Sequence, residues 1–193
     1  MEKPHSNISD MLPRRAVIND LSVPYRSGSG YILTMTVVAT ALLCALAVVA
    51  SEPFLVPSIG PTIFIIFAFP LSEQAHPRNI ILSTVIAILA GIASLALFGL
   101  VHVPPDLTDL SWMRAAALVV GIGLATAGIS ALRALHVPAI ATAMIISAGL
   151  LDKPLDWLSV LIGVLFVTSI GLLINRAAGK PQALWWRPQP PTL

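Results

Sequence analysis

Six apolar stretches follow one another along this chain, at about 31–50, 57–71, 80–101, 114–132, 138–151 and 157–175. None holds an Asp, Glu or Lys, and Arg114 stands only at an edge. Four of them run about 19 to 22 residues, enough for a helix to cross a ~30 Å hydrocarbon core. The second and fifth, about 15 and 14 residues, reach only ~22 Å as helices. Lipid offers the backbone no hydrogen bonds, so spans of this kind fold as helices. The expected class is an all-α, polytopic membrane helix bundle. Composition agrees: 10% of the 193 residues are charged, 56% are hydrophobic and the mean hydropathy is +0.89. A soluble domain carries about 25% charged residues. The first run follows a polar tail and is longer than the apolar part of a cleaved signal, so it is read as a retained anchor. Cys44 is the sole cysteine and cannot form an internal disulfide.

Three regions are expected. Residues 1–30 form a cytoplasmic, disordered N-terminal tail, and 31–176 form the transmembrane domain. Residues 177–193 form an interfacial, proline-rich end with Trp185 and Trp186 as a membrane belt. If all six stretches cross, one side of the membrane holds Lys3, Arg14, Arg15, Arg26, Arg78, Arg133, Arg176, Lys180 and Arg187. These are nine of the eleven basic residues. The other side holds Glu52, Asp106, Asp109, Asp152 and Asp156, with only Arg114 and Lys153. Positive charge collects in the cytoplasm, so six crossings with both termini cytoplasmic are expected. Were the two short stretches re-entrant, Arg78 and Arg133 would lie outside, against that rule. The excess of +2 is a topology signal. No basic run interleaved with aromatics points to nucleic acid.

The chain also repeats weakly. "VPSIGPTIFII" (56–66) aligns with "VPAIATAMIIS" (137–147), and "LSTVIAIL" (82–89) with "LSVLIGVL" (158–165). The repeats, 31–102 and 112–176, would each contain a long, a short and a long helix. Three crossings per unit make them an inverted pair. Proline-interrupted short segments at matching places in two halves are the sequence pointer to a transport site. Pro57 and Pro138 are expected to start the short helices, where a missing N–H costs nothing. "SEPFLV" and "RALHV" would be extended legs leading into them. Two helix starts meeting from opposite sides would present free N–H groups and positive dipole ends, suited to a small anion. Ser58 and Gly60 in one half, and Ala139 and Ala141 in the other, are small enough to let backbone approach a ligand. Thr62 and Thr142 add hydroxyls in the first turns.

Two stretches carry a family resemblance. "HVPAIATAMI" (136–145) resembles the His-Pro-Pro-Ala-Gly-Ala-Thr-Ala signature of the HPP family of integral membrane proteins. "VPSIGPTIFIIFAFP" with "HPRN" (56–70 and 76–79) resembles that family's other shared region, a Pro-Phe-Gly-Ala-Ser stretch followed by Pro-Arg-Asn. The resemblance covers about 30–176. It carries over His136, Pro138, Ala139 and Thr142 from the signature, and Gly60, Pro77, Arg78 and Asn79 from the other region. This chain departs at Val137 and Ile140, which replace a proline and a glycine, and at Pro61, where the family tends to have alanine. Members are described as transporters, some of them linked to nitrite. The resemblance thus implies transport of a small anion. The expected setting is a bacterial inner membrane.

Each of these residues also has an ordinary reading. His136 can cap a helix end. Arg78 and Asn79 can anchor topology and cap the third helix. Thr62 and Thr142 can bond their own helices. The rows Gly121/Ala125, Gly123/Ala127 and Ala87/Gly91 suit close helix packing. His76 and His102 have no partner at metal-ligand spacing, so no metal or other cofactor is expected. No His-Glu-x-x-His or Gly-x-Ser-x-Gly motif is present, so an enzyme is not expected. The partners expected are lipid and a small anion, with homo-oligomerisation left open. The competing reading is a structural or subunit-type membrane protein without transport of its own.

Overall fold

The structure is a computed structural model that describes residues 26–51, 57–105 and 110–182. Several expectations lie outside those residues: a disordered tail at 1–25, an extended leg at 52–56, the charges Asp106 and Asp109, and the Trp185/Trp186 belt.

Six α-helices account for the six apolar stretches: α1 Ser29–Ala50, α2 Ile59–Ala68, α3 Pro77–Leu97, α4 Trp112–Ala131, α5 Pro138–Ser147 and α6 Pro154–Ala177. A single 3-10 turn, Glu73–Ala75, lies between α2 and α3, and no strand occurs among the described residues. The helices α1, α3, α4 and α6, with 22, 21, 20 and 24 residues, are long and apolar enough to cross a membrane. The two short helices have 10 residues each, so they rise only ~15 Å, less than the sequence suggested. Their ends have local causes. Phe69 leaves the helical region ahead of Pro70, because the ring of a proline disfavours helix in the residue before it. Past α5, Gly149 takes a left-handed φ of 81°, and Leu150 N–H reaches back to the Ile145 carbonyl.

Pro138 is the first residue of α5, as expected, but Pro57 does not start α2. The reason is Pro61. It has no N–H to offer the Pro57 carbonyl, so the first helical bond runs from Thr62 N–H to the Ser58 carbonyl. Residue 142, at the matching place in α5, is a threonine and leaves the helix free to begin at its proline.

Hydrogen bonds sort the helix ends into two rims. On the first rim, Ser27 N–H donates to the Ala68 carbonyl, which sets the start of α1 beside the end of α2. Asn175, fully buried near the end of α6, accepts from Tyr31 Oη at 2.7 Å and donates to the Ile66 carbonyl at 3.0 Å. Arg78, at the start of α3, donates to the carbonyls of Leu132 and Arg133 beyond the end of α4. On the opposite rim, Arg114 in the first turn of α4 donates to the Val103 carbonyl at 2.8 Å, and its guanidinium lies over Gly149 past the end of α5. The first residue of α1 and the last of α6 therefore share a rim.

The interior is built by small and β-branched residues. Gly91, Gly128 and Gly171 sit so close to Ile146, Ile86 and Ile66 that an added Cβ would fall 2.6–2.7 Å from them. Ala87, Ala125, Ala139 and Ala143 belong to one cluster among α3, α4 and α5. The rows Gly121/Ala125 and Ala87/Gly91 are thus packing rows, whereas Gly123 and Ala127 face outward. Neighbouring helices pair as α1–α2, α4–α5, α3–α4, α3–α5, α1–α6, α2–α6, α3–α6 and α2–α5. Exchanging α1, α2 and α3 for α4, α5 and α6 leaves this set of neighbours unchanged.

Candidate functional site

The two short helices touch at their starts. Thr142 Oγ1, one turn into α5, donates to Ser58 Oγ at 2.8 Å. Thr62 Oγ1, one turn into α2, lies 2.9 Å from Nε2 of His136, two residues before α5. All four side chains are buried. The pairing is reciprocal. The residue before one helix meets the first turn of the other, which is the register of two segments running in opposite directions.

His136 is held from a second side. Its Nδ1 lies 2.7 Å from the Gln74 carbonyl, in the 3-10 turn. A carbonyl only accepts, so Nδ1 carries a hydrogen. Burial pushes the imidazole down, to about 4, against the raising effect of the Gln74 bond. Near neutral pH the ring is therefore uncharged, and Nε2 accepts the Thr62 hydroxyl. The Gln74 side chain also accepts from Val137 N–H, at 3.3 Å.

The two helix starts differ in what they leave open. In α5 the Ala139 and Ile140 amides turn back to the carbonyls of His136 and Val137, and Val137 is taken by Gln74. The Val137, Ala139 and Ile140 amides are therefore occupied. In α2 the amides of Ile59 and Gly60 precede the first helical bond. Gly60 is exposed, with no atom within 4 Å of where a Cβ would stand.

The other sequence candidates fall in several places. Pro57, two residues before α2, is exposed, and so is Gly60 in its first turn. Pro138 is buried, and Ala141 is half-buried. Ala139 packs into the alanine cluster with α3 and α4, not against α2. Pro77 begins α3. Arg78 serves the end of α4, and Asn79 Nδ2 donates to the Glu73 carbonyl at 2.9 Å; neither is the N-cap of α3, a place His76 takes. Sequence reasoning missed Gln74, which grips both His136 and Val137. A lone Gln in a short polar loop gave no signal. Among the described residues no cluster of His, Cys, Asp or Glu could hold a metal ion.

A helical bundle with four apolar spans and a buried polar knot between two half-length helices is an integral membrane protein. More particularly, residues 20–183 match the family model described as "HPP, transmembrane region", and the chain belongs to the HPP family. No curated protein and no solved structure matches it.

Proposed function

We propose that the chain passes a small monovalent anion, nitrite among the candidates, along a path beside the starts of α2 and α5. The observation that carries this reading is the Ser58–Thr142 and Thr62–His136 pairing, which brings two half-length helices start to start. Beside it lies the start of α2, with the positive end of its dipole and the exposed Gly60. The unchanged neighbour set and the reciprocal register support reading the two halves as an inverted repeat. The rim holding Arg26, Arg78, Arg133, Arg176 and Lys180 is read as cytoplasmic, in a bacterial inner membrane. The described helices carry no acidic residue in their middles, so transport is passive or only weakly pH-dependent, without a carboxylate relay.

The test is nitrite flux into liposomes near neutral pH, where the anion stays ionised. Gly60→Leu and Ala141→Leu should abolish flux while the protein inserts and keeps its size-exclusion profile; the space around Gly60 lets the first fold. Thr142→Ala removes one neutral hydrogen bond of ~1 kcal/mol, so flux should fall only about fivefold. Wild-type rates in both leucine variants would place the path elsewhere. No flux in the wild-type chain would leave it a structural subunit.

A further inference from the structure

The Thr62 hydroxyl has one hydrogen and two acceptors. The Ser58 carbonyl lies 2.8 Å from Oγ1 and His136 Nε2 lies 2.9 Å from it. With His136 neutral, Nδ1–H is committed to the Gln74 carbonyl, so Nε2 takes the Thr62 hydrogen. The Ser58 carbonyl then keeps only the Thr62 N–H, at 3.3 Å. With a proton added at Nε2, the ring donates to Thr62 Oγ1, and the hydroxyl turns its own hydrogen to the Ser58 carbonyl. Both states leave every group bonded, and no heavy atom moves between them. Burial still disfavours the charged ring, but acceptors on both nitrogens spare it the further cost of unbonded N–H groups.

We propose that His136, with the Thr62 hydroxyl as its relay, is a proton-binding site whose charge strengthens the hold of the α2 start on an anion. The proposal borrows from the transport reading only the place of the anion, beside Ser58 and Gly60. Linkage makes the effect reciprocal: an anion there raises the proton affinity of His136, and the proton raises anion affinity by the same factor. The ionisable groups on the segments packed around His136 are few. Its own segment brings Arg133, the 3-10 turn brings Glu73, and the start of α3 brings His76 and Arg78; α2 and α5 bring no charged side chain. Burial, opposed by the Gln74 carbonyl, sets the proton affinity of His136.

The test follows the imidazole NMR signals of the full chain in nanodiscs, between about pH 4 and about pH 7.5, a range spanning buried and ordinary histidines. Nitrate is the probe because it stays ionised throughout. His136→Gln identifies the signal, and His76→Gln removes the neighbouring imidazole. Saturating nitrate should raise the His136 midpoint by about one unit, matched by about tenfold tighter nitrate binding at the acid end. In Thr62→Val both effects should fall below about twofold, and Thr62→Ser, which keeps the hydroxyl, should restore them. A His136 midpoint that nitrate leaves unmoved overturns the proposal, whatever the Thr62 variants do. So does an equal shift in Thr62→Val. Flux without any shift would sink this proposal and spare the transport reading; a shift without flux would do the reverse.

Discussion

Gly121 has no room for a methyl group: a Cβ there would run into Ser147 Oγ and come within 2.9 Å of Ser94 Oγ. Those two hydroxyls bond each other at 2.9 Å and tie α3 to α5. Gly121→Ala should therefore cost ~1–3 kcal/mol, as overpacking does, and lower the melting temperature of the solubilised protein. Gly123→Ala, two residues on, meets open space and should leave that temperature unchanged or slightly raised, since alanine is the better helix former. Equal melting temperatures would mean that the contact is softer than its geometry implies. Arg114 is a second close fit. It is 4% exposed, and its guanidinium occupies the volume a side chain at 149 would need. Gly149→Ala would both displace that charge and strain a left-handed φ.

Among the helices, Arg78 makes a second link between the halves on the first rim, beside that of Asn175. Its guanidinium bonds the carbonyls of Leu132 and Arg133, orphan acceptors past the end of α4, where a positive charge also suits the dipole. Arg78→Gln should lower stability by about 1 kcal/mol and weaken insertion, while the ratio of nitrite to chloride flux stays that of the wild type. A changed ratio would make Arg78 a substrate contact. Helix positions were legible in the sequence because lipid demands long uncharged runs, and Pro138 marked the start of α5 outright. The inner faces were not. These helices are apolar all round, so no stripe separates the side that meets protein from the side that meets lipid. The same uniformity hid the partners of Thr62 and Thr142, which depend on how deep two helices sit relative to one another. The first-turn proline misled for a different reason: two prolines compete at 57 and 61, and it is the second one's missing N–H that sets where hydrogen bonding begins.

Across the whole molecule, the two rims give a direct test of topology. With Cys44 replaced by Ser, single cysteines at His102 and Lys153 should label from one side of the membrane, and those at Arg133 and Lys180 from the other. If the short helices turned back without crossing, positions 102 and 153 would label from opposite sides. Asn175 adds a consequence in the order of assembly. It lies near the end of the last helix, yet it fastens Tyr31 of the first and Ile66 of the second. Of the described helices, α6 is made after the others, so α1 and α2 gain the clasp at their shared rim only once α6 has entered the membrane. A chain truncated before α6 should therefore be a substrate for membrane quality control.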